Sequence, residues 1–348
     1  MSRVAGVDPG TVSFDVCVLD DGEVIFERSL PTTEVAADPA PLVETLTRHG
    51  PLDLVLGPAG YGLPLVAAEQ VGERELELMI LLRADEPHGR AGIGGMRAIV
   101  GALIAAGLPL VFGPAAIHLP TIPAYRKWNR IDLGTADKVA SAALCIADQA
   151  RRLGVDFAET SFVMLELGGA FSAALAVDGG RIVDGFGGSA GPIGARACGA
   201  LDAEAAYLLG GALSKRTVFS GGALDPRGEL DLTGPLDDPR HRDGWLALQE
   251  GAAKAALALT VSAPAPREIL VTGRLASGVL QGLGARLAHV APVRMATVGA
   301  AAQGAAVLAD GLAGGRYAPL VERLGVRDAS GSALDHLRIH GADRIRLR

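Results

Sequence analysis

The feature that most constrains this chain is a pattern that occurs twice, 157 to 158 residues apart. In each copy a short apolar run ends in an acid, a glycine-containing loop follows, and two further apolar runs are separated by Asp-Gly. The acid is Asp8 in the first copy and Glu166 in the second, and Phe171 lies 157 positions after Phe14. Asp-Gly between apolar runs predicts a hairpin, because glycine supplies the positive φ of a tight turn. Each copy is therefore predicted to be strand, glycine loop, strand, turn and strand.

A repeat of this length is not a solenoid period and predicts two similar domains in tandem. The 348 residues suit two domains of ordinary size. We expect an N-terminal domain at residues 1–154, a C-terminal domain at 155–310 and a tail at 311–348 of unknown role. Two such hairpins facing each other across a cleft would bind a polyphosphate through backbone N–H groups, and their acids would hold its magnesium. The alternative is two unrelated structural hairpins.

Composition and charge argue against several classes of function. The net charge is −7 and aromatic residues make up 4%, with no Lys/Arg block, so no nucleic-acid partner is expected. The most apolar segment, residues 98–112, is interrupted by Gly107 and Pro109 and is too short to cross a bilayer. No signal-peptide pattern is found. The three cysteines are odd in number and lack metal-ligand spacing, which is typical of buried thiols. We expect a cytoplasmic protein without a membrane partner.

Two segments in the first half of the chain are candidate acceptor sites. A loop rich in Gly and Pro follows a predicted buried strand and carries Tyr61. Such loops often contact ligands in α/β proteins, although a plain connection is the alternative. The densest patch of polar and aromatic residues, at residues 118–132, is called the polar-aromatic patch, and its cations could hold an anionic acceptor. These cations are Arg126, Lys127 and Arg130.

Three further positions have residue types that suggest a specific role. Arg196 is the one cation of a glycine-rich stretch, so it is a candidate clamp for phosphoryl oxygens, with a surface arginine as the alternative. A strand predicted at Glu268–Thr272 leads to Gly273 and Arg274, and a helix is predicted at Ala276–Leu287. Glycine there lets a flat ring lie against the backbone. Asp137, at the start of a long predicted helix, is interpreted as an electrostatic cap of that helix.

Three stretches resemble motifs of the acetate and butyrate kinase family, within the sugar kinase, Hsp70 and actin (ASKHA) superfamily. The first phosphate motif resembles GVDPGTVSFDVCVLDDGEVIFE, and the second resembles LELGGAFSAALAVDGGRIVDGFGG. The adenosine motif resembles ILVTGRLA with HVAPV and AAAQGAAVLA behind it. The likeness covers roughly residues 3–310 and is closest to the group described as predicted butyrate kinases. It implies an α/β fold of two tandem ribonuclease H-like (actin-like ATPase) domains around a nucleotide cleft.

The motifs and the resemblance together predict ATP or ADP and Mg²⁺ as cofactors. The predicted catalytic residues are Asp8, Glu166 and Arg196, and the first two also hold the metal. The predicted cofactor-binding residues are Gly10, Thr11, Ser13, Gly168, Gly169, Ser172, Gly273 and Arg274. The predicted acceptor-binding residues are Tyr61, Arg126, Lys127 and Arg130.

The chain also departs from the family pattern at positions that carry activity. These are Asp8 for an asparagine, Asp15 for a lysine, Glu166 for a histidine, Pro58 for a substrate-binding arginine, Gly113 for a catalytic aspartate and Gly299 for a magnesium-linked glutamate. The arginine that the family carries before the glycine at Gly199 is present here as Arg196, shifted by one position relative to the family pattern. The resemblance therefore supports nucleotide binding, while acyl-phosphate chemistry is not supported residue by residue.

Three hypotheses follow from the sequence. The first is an ATP- and Mg²⁺-dependent phosphotransferase with a small-molecule acceptor. By resemblance this acceptor is a carboxylate, whereas the two acids in place of Asn and His suit a hydroxyl or water. The second is an ASKHA-type ATPase or a nucleotide-dependent switch without kinase activity. The third is a family member that no longer binds nucleotide. Alanine-rich helical surfaces also lead us to expect a homodimer.

Overall fold

The computed structural model describes residues 2–86, 93–225, 241–296 and 301–348. The chain divides into two compact units. Unit 1 contains Met1–Ile131, Thr135–Ala158 and Val298–Arg348, and unit 2 contains Asp132–Gly134 and Glu159–Thr297. Each unit has its own sheet and its own cluster of buried apolar side chains.

The strands of the described residues are β1 (Arg3–Pro9), β2 (Ser13–Asp20), β3 (Glu23–Pro31), β4 (Leu54–Gly57), β5 (Val66–Ala67), β6 (Leu110–Phe112), β7 (Ser161–Leu167), β8 (Ser172–Asp178), β9 (Arg181–Phe186), β10 (Glu268–Thr272) and β11 (Val293–Met295). The α-helices are α1 (Thr32–Ala37), α2 (Ala40–Arg48), α3 (Glu73–Ile80), α4 (Ile93–Ala105), α5 (Ala124–Lys127), α6 (Ala136–Leu153), α7 (Ala203–Leu209), α8 (Lys215–Val218), α9 (Arg242–Leu259), α10 (Ala276–Leu287), α11 (Ala301–Leu312) and α12 (Ala318–Leu324).

The two sheets are built on the same plan. The strand order is β3-β2-β1-β4-β6-β5 in unit 1 and β11-β10-β7-β8-β9 in unit 2. In each unit the first three strands form an antiparallel meander. A later strand, β4 or β10, then pairs in parallel with the other edge of the first strand. The predicted repeat is thereby confirmed, and with it the α/β class of two ribonuclease H-like units.

Turn chemistry produces both meanders. Asp21 and Gly22 join β2 to β3 with φ of 51° and 78°, and Gly179 and Gly180 join β8 to β9 with φ of 55° and 67°. Positive φ at both central residues gives the turn whose twist matches that of the flanking strands. The Asp-Gly pattern therefore predicted the hairpins, although in unit 2 the two turn residues are both glycine.

Helix α11 belongs to unit 1, which differs from the predicted division at residue 310. The cause is close packing on two sides of the helix. A Cβ on Gly6 of β1 would lie 2.2 Å from the backbone nitrogen of Ala306, and a Cβ on Gly304 would lie 2.0 Å from the carbonyl oxygen of Ala140 in α6. The backbone of α11 therefore contacts both β1 and α6, and only small residues fit between them.

The segment Asp132–Gly134 belongs to unit 2 because its hydrogen bonds lie there. The carboxylate of Asp132 accepts from the backbone N–H of Ser189 at 3.1 Å and from its hydroxyl at 3.1 Å. The N–H of Gly187 donates to the carbonyl of Asp132 at 3.1 Å. A Cβ on Gly187 would lie 1.6 Å from the Asp132 carboxylate, so this contact requires glycine.

The tail at residues 311–348, whose role the sequence did not indicate, packs within unit 1. The N–H of Asn129 donates to the carbonyl of His336 at 2.9 Å, and the Asn129 amide oxygen accepts from the N–H of Arg338 at 2.7 Å. The guanidinium of Arg338 lies 3.5 Å from the ring centroid of Trp128. The tail therefore covers part of the polar-aromatic patch. In the part of the chain that the structure describes, no helix has both the length and the apolar character needed to cross a bilayer.

Candidate functional site

In unit 2, the loop after β7 has the form of a phosphate-binding turn. Glu166 is half-buried near the end of β7, opposite Ala173 of β8 and Thr272 of β10. The N–H of Gly168 donates to the carbonyl of Phe171 at 2.9 Å, which closes the loop on itself. Two glycines at its tip leave the backbone uncovered by side chains, and such concave backbone binds anions. Ser172, predicted to bind the cofactor, is buried and begins β8.

The glycine after β10 lies against the same place. Gly273 has φ of 93°, and a Cβ there would lie 2.4 Å from the carbonyl oxygen of Leu167, the last residue of β7. That carbonyl also accepts the N–H of Leu275 at 3.0 Å. Arg274 is exposed between them. The predicted adenosine segment and the predicted phosphate loop are therefore direct neighbours.

Arg196 lies beside the loop at residues 168–171. Its backbone N–H donates to the carbonyl of Ala170 at 3.1 Å, and its Nε donates to Asp225 at 2.8 Å. The carboxylate of Asp225 is 3% exposed, so a buried anion orients the guanidinium. Sequence reasoning missed Asp225, which lies in an irregular segment and belongs to no motif.

In unit 1, the corresponding loop lies between β1 and β2. A Cβ on Gly10 would lie 2.6 Å from the carbonyl oxygen of Ser13, so the tight turn requires glycine. The hydroxyl of Thr32 donates to the carbonyl of Gly10 at 2.8 Å, and its N–H donates to the carbonyl of Val12 at 3.0 Å. Thr11 is exposed at the tip. The loop is therefore held from β3 and α1 while its tip stays accessible.

Two carboxylates meet at the base of this loop. Asp8 and Asp15 are direct partners across β1 and β2. The hydroxyl of Ser13 donates to Oδ2 of Asp15 at 3.1 Å, while the buried Oδ1 of Asp15 has no hydrogen-bond partner among the described residues. Carboxylate oxygens are the ligands that Mg²⁺ prefers, and it is usually held by one or two carboxylates together with nucleotide phosphates. The donor set therefore fits Mg²⁺, which Asp8 and Asp15 would hold in unit 1.

Glu166 lies near the equivalent strand end in unit 2. Its carboxylate is of the type that Mg²⁺ prefers as a ligand. Within the described ranges, no three His, Cys, Asp or Glu side chains cluster as a complete set of metal ligands. A site that takes several of its ligands from nucleotide and water does not require such a set.

A pocket in unit 1 lies at the ends of β1, β4 and β6 and at the start of α6. It is partly open to solvent. Pro58 and Gly113 line it, at the two positions where the resemblance implies a substrate-binding arginine and a catalytic aspartate. Its carboxylates are Asp8 and Asp137. The pocket is therefore the candidate acceptor site, with a different set of side chains from the one that the resemblance implies.

Asp137, interpreted from sequence as a helix cap, also lines this pocket. Its carboxylate accepts hydrogen bonds from the hydroxyl of Thr135 and from Nζ of Lys138. Burial alone would raise the pKa of Asp137, but the charge of Lys138 and the hydrogen bonds from Lys138 and Thr135 outweigh it and hold the pKa below its ordinary value. Asp137 is therefore ionised at neutral pH. In the sequence, its place in the first turn of a long helix, shortly after Gly134 and Thr135, is the feature that could have indicated a role in the site.

The predicted acceptor-binding residues lie elsewhere in unit 1. Among the described residues, those that line the pocket do not include Tyr61, Arg126, Lys127 or Arg130. Lys127 is 7% exposed, and its Nζ donates to the carbonyl of Leu119 at 2.8 Å, so this amine is used within the fold. The guanidinium of Arg126 lies 5.6 Å from the ring centroid of Tyr125. Gly299 lies outside the described residues.

Comparison with known proteins agrees with this architecture. The family described as "Protein of unknown function (DUF1464)" matches residues 6–339. No curated protein sequence matches the chain significantly. A propionate kinase from Francisella tularensis subsp. tularensis SCHU S4 is similar in structure, with a TM-score of 0.60 and 13% identity over 88% of this chain and 98% of that chain.

Two acetate kinases are also similar in structure. The enzyme from Porphyromonas gingivalis has a TM-score of 0.55 and 14% identity, over 83% of this chain and 88% of that chain. The enzyme from Entamoeba histolytica has a TM-score of 0.54 and 11% identity, over 83% of this chain and 87% of that chain. At these identities the likeness establishes a shared fold, the α/β fold of two ribonuclease H-like units that the sequence motifs predict.

Proposed function

The chain belongs to the family of proteins of unknown function DUF1464, and we propose that it is an ATP- and Mg²⁺-dependent phosphotransferase with a small-molecule acceptor. One observation carries the proposal. In unit 2 the glycine loop at residues 168–171, Glu166, Arg196 and Gly273 lie together around the ends of β7 and β10. Such groups suit the phosphate chain of a nucleotide and its adenine ring.

The residues have distinct roles in this proposal. The backbone of the loop binds phosphate oxygens, Arg196 neutralises phosphoryl charge, and the ring lies against Gly273. Asp8 and Asp15 of unit 1 and Glu166 of unit 2 are the carboxylates that would hold Mg²⁺, which would neutralise phosphoryl charge when bound. Phosphoryl transfer needs little covalent chemistry from a protein, because positioning and charge neutralisation lower most of the barrier.

The finer assignment, a carboxylate acceptor as in a butyrate kinase, is supported by the resemblance and by the names of the similar structures, which are an acetate and a propionate kinase. The pocket in unit 1 does not add to that support, because Pro58 and Gly113 lack the charges that would bind and activate a carboxylate. We therefore test carboxylates and hydroxyl compounds side by side.

A second candidate function is favoured by the same two residues. With Pro58 and Gly113 in the pocket, the chain could bind MgATP without transferring phosphate to an acceptor. It would then act as a slow ATPase or as a nucleotide-dependent switch. This candidate predicts compaction with MgATP in small-angle scattering together with acceptor-independent turnover or none.

The test combines binding and turnover. Isothermal titration with MgATP and MgADP is followed by ADP release with acetate, butyrate and a panel of polyols. We expect binding of both nucleotides, release of ADP that depends on an acceptor, and loss of binding in Glu166→Gln. Glu250→Gln is the control, because Glu250 is exposed and pairs with Lys254 of its own helix, in α9. MgATP binding without turnover on any acceptor would favour the switch, and absence of binding would contradict both functions.

A homodimer in the cytoplasm is part of the proposal. Helix α7 has no buried residue, and Tyr207 and Leu208 on it are each 79% exposed. Exposed apolar patches of this kind mark interaction surfaces. The side chains of Cys17 and Cys145 are buried, and buried thiols outside disulfides are typical of a reducing compartment. Light scattering of the wild type and of Leu208→Ser tests the dimer; a monomeric wild type contradicts it.

A further inference from the structure

The pocket of unit 1 offers hydrogen-bond acceptors to its occupant. Its carboxylates, Asp8 and Asp137, come from β1 and α6, two different elements of the fold. None of the described residues that line it is Lys, Arg or His. The remaining wall is largely apolar, with Pro58, Ala140 and Leu308 among its residues. An occupant must therefore bring hydrogen-bond donors of its own and a compact apolar skeleton.

The N-terminal end of α6 does not change this balance. The N–H of Ala136 donates to the carbonyl of Gly60 at 3.2 Å, and the N–H of Asp137 bonds its own carboxylate. The next two N–H groups of the helix donate to the carbonyl of Thr135 at 2.9 and 3.2 Å. The donors with which a helix end commonly binds an anion are therefore already used within the described part of the fold.

Lys138 stands beside Asp137 rather than in the pocket lining. Its Nζ bonds the Asp137 carboxylate, and its side chain is 16% exposed. A carboxylate has about four acceptor positions on its two oxygens. The bonds from Thr135, from Lys138 and from the N–H of Asp137 itself therefore fix the carboxylate in place and use three of these positions, which leaves one for a donor. Asp137 is thus a held, ionised hydrogen-bond acceptor that is 22% exposed.

Resting on the proposed phosphotransferase function, we propose that Asp137 determines acceptor specificity, and that the acceptor is a small hydroxyl compound, neutral or bearing an ammonium group, rather than a carboxylate. The hydroxyl of such a molecule donates to Asp137. An ionised carboxylate has no donor, so it would place its oxygen lone pairs against those of Asp137.

The transfer step is balanced without any further reactant. The acceptor hydroxyl oxygen forms a bond to the γ-phosphorus of ATP, and the bond between that phosphorus and the β–γ bridging oxygen breaks. ADP leaves with the electron pair of the broken bond. The hydroxyl proton passes by way of the Asp137 carboxylate to water. Asp137 therefore orients the nucleophile and accepts its proton only transiently, in keeping with its lowered pKa.

The experiment measures acceptor binding separately from catalysis. Ligand-observed NMR on the full chain, with and without MgADP, uses propane-1,2-diol, 2-aminoethanol and butyrate as probes. We expect at least one hydroxyl probe to bind about 10-fold or more tightly than butyrate, since a charge-assisted hydrogen bond contributes on that scale. Asp137→Asn should weaken hydroxyl binding by a similar factor and leave MgADP affinity unchanged. Glu44→Gln, an exposed acid on α2, is the control for the loss of one negative charge.

Asp137→Asn leaves the amine of Lys138 without its anion, so Asp137→Asn/Lys138→Met is measured beside it to separate binding from folding. Hydroxyl binding retained in both variants overturns the role of Asp137. Butyrate binding more tightly than the hydroxyl probes, or no probe binding at all, overturns the acceptor class. Failure of the wild type to bind MgADP, with the hydroxyl preference and its loss in Asp137→Asn intact, contradicts the phosphotransferase and leaves the pocket assignment supported.

Discussion

Asp8 and Asp15 lie directly opposite each other on the antiparallel strands β1 and β2. Like charges in this relationship destabilise a sheet, because their side chains project on the same face at short range. The buried Oδ1 of Asp15, which accepts no hydrogen bond from the described residues, adds to the cost. A divalent cation between the two carboxylates would remove both penalties.

Replacing Asp15 by asparagine tests this relationship. In EDTA, we expect Asp15→Asn to raise the free energy of unfolding by about 0.2–1 kcal/mol, since it removes the repulsion from Asp8. With Mg²⁺ added, the wild type should gain more stability than the variant, because the variant has lost a ligand. Thermal unfolding with and without Mg²⁺ measures both effects, with Glu44→Gln as control. Equal Mg²⁺ stabilisation of wild type and Asp15→Asn contradicts the prediction.

Gly6 gives a second prediction, about packing. A Cβ there would lie 2.2 Å from the backbone nitrogen of Ala306 and 2.3 Å from the carbonyl oxygen of Ala302, and backbone cannot move aside as a side-chain tip can. Gly6→Ala should therefore lower the free energy of unfolding by about 1–3 kcal/mol or more. Gly101→Ala is the matched control, since a Cβ there meets nothing within 4 Å in α4. It should stabilise the chain by about 0.5–1 kcal/mol. Urea unfolding that ranks the two variants in the opposite order contradicts this account.

Local chemistry made much of the fold predictable. The two meanders follow from short turns with positive φ, which the sequence displays directly. Helix α6 begins and ends where periodicity and its flanking residues predict, and Gly154 ends it with φ of 63°. Strand β10 and helix α10 also have the predicted bounds. In these elements the residues that decide the structure are neighbours in sequence.

What the sequence did not predict depends on contacts between distant residues. The place of α11 is set by Gly6, 300 positions before Ala306. Arg196 was predicted to bind phosphate, but its orienting partner Asp225 has no local pattern. Asp137 is by local pattern a helix cap, and only the fold brings it to the same pocket as Asp8. Site residues that act across elements are therefore the ones that a single sequence indicates least.

Arg196 gives a third prediction, about nucleotide affinity. Its guanidinium is held beside the glycine loop by Asp225, at 2.8 Å. Arg196→Gln should weaken MgADP binding by about 10- to 100-fold, the scale of a charge-assisted hydrogen bond. Asp225→Asn should weaken it less, because the arginine is then present but poorly oriented. Isothermal titration measures both, with the exposed Arg181→Gln as control. Unchanged affinity in Arg196→Gln removes this residue from the proposed phosphate site.

His118 provides the fourth relationship, between burial and pH. Its side chain is 2% exposed, and its Nδ1 lies 3.3 Å from the carbonyl oxygen of Ala115. Burial lowers the pKa of His118 from 6.5 to about 4; the bond to Ala115 opposes this shift, and the charge of Lys127 adds to it. Asp335 and His336 of the tail also face the ring, with opposite effects on its pKa. The folded chain therefore keeps this imidazole neutral.

Between pH 6.5 and 4 the unfolded chain binds a proton at His118 that the folded chain does not, so stability must fall as the pH is lowered through this range. A pKa shift of this size corresponds to a loss of about 3 kcal/mol in the free energy of unfolding. The loss is complete below pH 4, and there is none above pH 7. We expect His118→Gln to be less stable than wild type at pH 7 and to lose less stability on acidification, so that the two converge toward pH 4. Urea unfolding at several pH values measures this convergence, with the exposed His340→Gln as control; parallel curves for all three proteins contradict it, because the acid sensitivity would then lie in other groups.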